Sequence, residues 1–136
     1  MTTRRHDERG SISIFVAVLG VAFVMVAGLA VDGGRKLGAL SDARHLADNA
    51  ARAGAQALDS DAYRMTGVVA VDPRAATSAA SDFLAATGHT GTVTVDGATV
   101  TVTVRLRVDT RILPGPLEVS ATQSATAVIG PEGAGP

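Results

Sequence analysis

One uninterrupted apolar run dominates the pattern near the start of the chain. Over residues 12–31, 17 of the 20 side chains are apolar, and the exceptions are Ser13, Gly20 and Gly28. A helix needs roughly 20 apolar residues to cross the hydrocarbon core of a bilayer. The run therefore predicts a single membrane-spanning helix, preceded by a short polar tail over residues 1–11.

A second reading of this run is a cleaved secretory signal, because Gly28 and Ala30 are small residues at −3 and −1 of a cut after Ala30. Signal segments are usually shorter, about 7–15 apolar residues, which favours a permanent anchor. Basic residues are nearly balanced across the run, so charge alone does not orient it. The size of the part that follows favours a cytoplasmic N-terminus in the cytoplasmic membrane, a single pass and an extracytoplasmic C-terminal domain.

The next segment, residues 32–58, is rich in alanine at helical spacing. Its small residues form a narrow stripe, and the sequence predicts a helix that continues from the membrane span across Gly33-Gly34 and ends at Asp59. Asp48 and Arg52 are four residues apart on this helix, the spacing of an ion pair. The members of the stripe are Ala43, Ala47, Ala50 and Gly54.

Residues 59–129 have the pattern of a small α+β domain. Asp72-Pro73 is a helix start, the helix is expected to run to about Thr87, and residues 68–71 are a candidate short strand. Valines alternate with threonines on both sides of Asp96-Gly97, which predicts a hairpin of strands 92–95 and 98–108 with this pair as its loop. A third strand is expected over 117–129, after Pro114-Gly115-Pro116, and a disordered tail over 130–136.

These elements predict a pilin-like α+β fold. A long N-terminal helix, spanning the membrane with its first half, packs on a small antiparallel sheet with one short extra helix. The alanine-rich face is the natural cover for the valine face of the sheet, because a three-stranded sheet without a cover is only marginally stable.

Composition narrows the chemistry. There is no cysteine and the net charge is −1, which excludes a disulfide scaffold and gives no indication of a nucleic-acid partner. His6, His45 and His89 lack metal-ligand spacing, and Asp59, Asp61 and Asp72 suit helix ends better than a calcium loop. No serine lies in a nucleophile motif. We therefore expect no catalytic, metal or cofactor site, no small-molecule substrate and no enzymatic activity.

Small residues are the remaining candidates for function. Gly20 and Gly28 are eight residues apart and would let a neighbouring membrane helix approach closely. Ala43, Ala47, Ala50 and Gly54 form a second possible helix-packing surface. Arg105, Arg107 and Arg111 could form a basic docking surface, but a solvated outer sheet face is favoured, because antiparallel sheets usually have one polar face.

The first part of the chain resembles the TadE/TadG-like proteins of bacterial Flp (tight-adherence) pilus assembly, especially the TadG-like N-terminal region. The resemblance covers residues 8–58 and extends loosely to the last strand. The segments that carry it are Glu8-Arg9-Gly10-Ser11, Leu29-Ala30-Val31-Asp32, Gly34-Arg35, Ala47-Asp48-Asn49-Ala50-Ala51 and Ala53-Gly54-Ala55.

This resemblance implies an accessory, pseudopilin-type component of a pilus or secretion apparatus. Its partners would be the lipid bilayer and other pilus-assembly or pseudopilin proteins, and it would act by helix packing. The alternative is a membrane-tethered extracytoplasmic binding module unrelated to pili. Gly10 and Ser11 are the possible prepilin-type processing position. The chain departs from prepilin-like members in having Phe15 where they carry glutamate, five residues after the cleavage glycine, which argues against processing there. It is also too short for a von Willebrand-type domain.

Overall fold

The computed structural model describes residues 8–110 and 115–128, with side chains from residue 12 onward. It confirms the α+β class with a long N-terminal helix. Residues 1–7 of the expected N-terminal tail, the expected tail over 130–136 and residue 129 lie outside the described residues. Residues 8–11 of the expected tail belong to the first helix, and the third strand ends at Thr126, before its predicted end at 129. The elements in chain order are α1 (Glu8–Ala55), α2 (Ser60–Thr66), α3 (Pro73–Ala86), β1 (Gly91–Asp96), β2 (Thr99–Val108) and β3 (Leu117–Thr126).

Helix α1 is a single helix of 48 residues that passes through Gly33-Gly34 without interruption. At a rise of about 1.5 Å per residue it is a rod of roughly 70 Å. It ends at Ala55, three residues before the predicted end. The chain turns there, and Leu58 pairs with Val71 in an isolated antiparallel bridge.

Helix α2 is the element that the sequence pattern did not predict. Asp59 accepts hydrogen bonds from the backbone N–H groups of Asp61 and Ala62, and Gly67 ends the helix with φ of 70°. None of its residues is buried. Capping therefore defines this seven-residue helix, and it has no apolar stripe that a periodicity argument could detect. Residues 68–71 contribute only Val71 to a bridge, so the candidate strand there is wrong.

Helix α3 confirms its prediction. The Asp72 carboxylate accepts hydrogen bonds from the N–H groups of Arg74 and Ala75 at 2.8 and 3.1 Å, with Pro73 in the first turn. Leu84 is the largest fully buried side chain on the helix.

The three strands form an antiparallel sheet in the order β1-β2-β3. The hairpin is confirmed, but its loop is Gly97-Ala98 rather than Asp96-Gly97, because Asp96 pairs with Thr99. Gly97 is therefore the first loop residue, and it has φ of 58°, whereas Ala98 does not have positive φ, as in a type II′ turn. The Val71 N–H donates to the Gly97 carbonyl and the Ala127 N–H to that of Ala98, which fixes this register.

One face of the sheet is covered by the end of α1 and by α3, and the core lies between these two layers. Val100, Val102 and Val104 of β2 are fully buried there against alanines of both helices. Val100 lies against Gly54, whereas Leu106 lines a groove with Leu46. Strand β2 therefore runs antiparallel to α1, back toward the apolar half of that helix.

Candidate functional site

The apolar half of α1 stands clear of the rest of the described chain. Its large side chains are exposed, from Ile12 at 64% to Val31 at 55%, and the helix is long and apolar enough to cross a membrane. In water such a surface would be unfavourable by about 25 cal/mol for each Å², so it requires lipid or protein around it. This half is therefore the largest candidate interaction surface of the molecule.

Small residues follow this bare surface at regular intervals. Gly20, Ala27, Gly34 and Ser41 are each seven residues apart and exposed, and a Cβ added at Gly20 or Gly34 would meet nothing within 4 Å. Seven residues are nearly two helical turns, so this line drifts only about 20° per repeat. Gly28 lies off the line and is buried, as is Asp32 one turn later. Gly20 is thus the more open of the two predicted packing glycines.

The second predicted packing surface lies inside the chain's own core. Ala43, Ala47 and Ala50 are fully buried. A Cβ added at Gly54 would come within 3.0 Å of the Ala76 carbonyl oxygen and of Val100 Cγ1. These residues bring α1 close to α3 and the sheet of the same protein. In this conformation their surface is already covered.

The polar candidates have local structural roles. Asp59 and Asp72 cap α2 and α3, and Asp61 lies in the first turn of α2. The predicted ion pair is confirmed, with Arg52 Nε 3.1 Å from Asp48 Oδ2. Arg107 pairs with Glu118 on the neighbouring strand at 3.2 Å. Each of these contacts satisfies a charge near its own backbone element.

The fold brings two of the three histidines to one groove. His45 of α1 and His89 before β1 line it together with Asp42 and Asn49. In the part of the chain that the structure describes, no three histidine, cysteine or acidic side chains are arranged to hold a metal ion. His6 and Arg111 lie outside that part.

The candidate processing position is at the start of α1. Gly10 and Ser11 are in the first turns of the helix, which begins at Glu8. A peptidase would have to act on backbone that belongs to this helix.

The sequence reasoning missed the groove beside the outer edge of β3. Arg52, Ala55, Gln56 and Leu58 form one wall, and residues 125–128 form the other. Strand β3 carries no lysine, arginine or proline over Leu117–Thr126, the residues that commonly protect a sheet edge. The lack of these residues in the sequence of β3 was the signal that could have indicated an open sheet edge.

The similarity to known proteins lies almost entirely on α1 and does not extend to the sheet. No curated protein and no solved structure matches this chain. One family model does match, over a segment that coincides with nearly all of α1 and ends two residues beyond it. Residues 10–57 are similar to the Tad family of Flp pilus-assembly TadE/G-like proteins, and this match together with the exposed apolar helix fits a pilus-associated membrane component.

Proposed function

We propose that this protein is a single-pass, pseudopilin-type accessory component of a bacterial Flp/Tad pilus or secretion apparatus, with its C-terminal domain outside the cytoplasmic membrane. The observation that carries the proposal is the division of α1 within the matched segment. The side chains of the apolar part are exposed, while the residues of α1 from Ala43 onward pack into the core of a folded domain. A pilus-assembly family suggests a structural role rather than catalysis, and it favours this function over an unrelated tethered module.

The proposed mechanism is helix packing inside the bilayer. Lipid tails are as apolar as leucine side chains, so the hydrophobic effect does not drive helices together inside a bilayer. Membrane helices associate instead through close packing, which small residues allow because they let the backbones approach. Gly20 has open space on its side of α1, and Ala27 and Gly34 extend the same line. Gly28 adds a second small position on a neighbouring face. We assign the partners to the other membrane helices of the assembly apparatus.

The test is in-membrane crosslinking in the native host, with the variants Gly20→Leu and Gly28→Leu. Leucine at Gly20 would fill the open approach, so the crosslinked fraction is expected to fall about tenfold, a typical effect of losing close helix packing. Ala22→Leu is the matched control, because residue 22 lies on the opposite side of the helix from residue 20. Crosslinking that survives both glycine variants, or that falls equally in Ala22→Leu, would contradict the proposal.

Orientation and processing need a second measurement. Mass spectrometry of the protein from the membrane fraction should give an intact N-terminus, apart from Met1, for a permanent anchor. A mature protein starting at Ser11 would instead indicate prepilin-type processing and a filament subunit. Protease digestion of spheroplasts should degrade the domain after residue 31 if that domain is extracytoplasmic.

A further inference from the structure

The outer edge of β3 is long, regular and open. Strand β3 pairs with β2 over ten consecutive residue pairs without a bulge, and no described strand lies on its other side. Its single charged residue, Glu118, is engaged by Arg107. Sheet edges without charge, proline or a bulge are templates for pairing with another chain.

The register identifies which backbone groups face outward. In a hairpin with a two-residue loop, the closing pair Asp96 and Thr99 is a hydrogen-bonded pair, and such pairs alternate along the strands. Val100, Val102 and Val104 of β2 therefore direct their backbone groups to β3. Their partners on β3 are Ala125, Gln123 and Ala121.

The intervening residues of β3 consequently direct their N–H and C=O groups away from the sheet. All five are exposed, and within residues 8–110 and 115–128 no backbone hydrogen bond beyond the sheet reaches them. They are Glu118, Ser120, Thr122, Ser124 and Thr126.

Side chains beside this edge indicate what it accepts. On the inner face Ala121 and Ala125 are small, and the groove between the end of β3 and residues Arg52, Ala55 and Gln56 is open next to Ala125. On the outer face hydroxyl pairs cross the sheet, with Thr101 and Ser124 oxygens 2.8 Å apart and Thr103 and Thr122 also 2.8 Å apart. An added strand would fit with large apolar residues inward and hydroxyl residues outward.

We propose that the outer edge of β3 binds an extended segment of a different protein, with large apolar and hydroxyl residues in alternation, which adds a fourth strand to the sheet. The backbone pairing supplies the affinity, and the groove beside Ala125 selects the apolar side chains. This surface is separate from helix packing in the bilayer, so strand addition and helix packing can fail independently. The choice of a foreign strand over a second copy rests on the proposed function, because it takes α1 as a membrane span.

A second copy of the chain fits this edge poorly. Antiparallel pairing of two β3 strands would place the two α1 helices in opposite directions, which one membrane does not allow. Parallel pairing of two β3 strands, about a two-fold axis along the strands, would set the apolar face of one sheet beside the hydroxyl face of the other. Continuing the sheet from β3 of one copy to β1 of the next would add a twist of about 20–25° per strand, or roughly 60–75° per copy. Spans in one bilayer tilt by about 20° on average, so two rigid α1 rods would not share a membrane.

The test uses the full chain in nanodiscs, with a synthetic decapeptide of sequence TVTVTVRLRV, which is that of β2. Amide hydrogen exchange is read by NMR, residue by residue. Peptide addition is expected to slow exchange about tenfold at Ser120, Thr122 and Ser124, in proportion to the bound fraction. The amides of Val119, Ala121 and Gln123, which already bond to β2, should not change. A peptide that binds without this alternation would overturn the proposal.

The edge variant is Thr122→Pro, which removes an outward N–H but no bond to β2. Peptide affinity should fall about tenfold, the loss of one hydrogen bond with its geometry. Thr122→Ala is the matched control, because it removes the hydroxyl and keeps the N–H. Equal affinity for the wild type and the proline variant would overturn the proposal.

Ser124→Pro repeats the edge test at a second outward position, where the same tenfold loss is expected. The exchange experiment on the wild-type chain needs no substitution, so it decides the matter if both proline variants unfold. Amide exchange at Ser120, Thr122 and Ser124 could also slow without peptide as the protein concentration rises. That result would mean that a second copy binds this edge, and it would overturn the choice of a foreign strand.

Discussion

The two halves of α1 use small residues for opposite purposes. Between residues 43 and 54 alanine and glycine are buried, and they bring the helix close to α3 and the sheet. Gly20, Ala27, Gly34 and Ser41, which are equally small, are exposed. A stripe of small residues therefore marks a place where backbones approach, but it does not say whether the second backbone belongs to the same chain. Substitutions can compare the packed half of α1 (residues 43–54) with its bare half (residues 20–41).

Leu84→Ala should have the largest effect. Leu84 is 1% exposed in the layer that covers the packed half of α1, and truncation of a buried leucine costs about 3 kcal/mol in transfer and cavity terms. Leu37→Ala is the control on the bare half, where the side chain is 69% exposed and the expected loss is under about 0.5 kcal/mol. Urea unfolding of the nanodisc-embedded protein, followed by circular dichroism, measures both. Equal losses would mean that the two halves do not differ.

Gly54→Val should destabilise the domain by about 2 kcal/mol through overpacking. The backbone carbonyl of Ala76 blocks the space that the new side chain needs, and a carbonyl in a helix cannot move aside cheaply. Gly38→Val is the matched control on the same helix, because a Cβ there meets nothing within 4 Å. The same unfolding experiment should show no loss for the control. A tolerated Gly54→Val would contradict the close approach of α1 to α3.

Asp72→Ala should cost about 1 kcal/mol of global stability, since it removes the cap of the helix that lies on the packed half. Asp59→Ala removes the same kind of cap from α2, which has no buried residues. Hydrogen exchange should then show fraying confined to residues 60–66 in Asp59→Ala. A global loss in that variant as large as in Asp72→Ala would show that α2 supports the core.

Arg52→Ala should have the smallest effect, about 0.3 kcal/mol. The Asp48–Arg52 pair is an i,i+4 pair in which the Arg52 side chain is 69% exposed and that of Asp48 is 38% exposed, so solvent screens it strongly. Its contribution should disappear in 1 M salt, whereas the Leu84→Ala loss should not. A loss above 1 kcal/mol that persists in salt would indicate that Arg52 packs along the groove instead.

Sequence patterns predicted the parts of the fold that depend on local order. Alternating valine and threonine predicts the hairpin, and Asp72-Pro73 predicts the start of α3. They did not predict the loop position, because Asp-Gly can close either of two registers and hydrogen bonds from Val71 and Ala127 decide between them. The end of α1 was misplaced for a similar reason, since the bridge between Leu58 and Val71 joins segments distant in sequence.

The candidate surfaces divide in the same way. The exposed span is visible in the sequence because its length and polarity are local properties. The sequence offered two roles for Ala43, Ala47 and Ala50, a cover for the valine face of the sheet and a surface for a partner helix. The structure shows the first. The sequence did not choose between them, because helical spacing is the same whether the contact lies within the chain or between chains. The open edge of β3 depends on strand order, which a sequence of three strands does not fix.

Because α1 passes through Gly33-Gly34 without a break, the rotation of the domain about the helix axis is fixed relative to the apolar half of α1. A hinge would let the domain rotate independently of the apolar half of α1. In a continuous helix the two parts rotate together as one rigid body. In the proposed assembly, the face of α1 that contacts a neighbouring membrane helix would therefore set the direction in which the sheet faces. Adding one alanine after Gly34 would rotate the domain by about 100° and lift it by about 1.5 Å, leaving both surfaces intact but no longer aimed together.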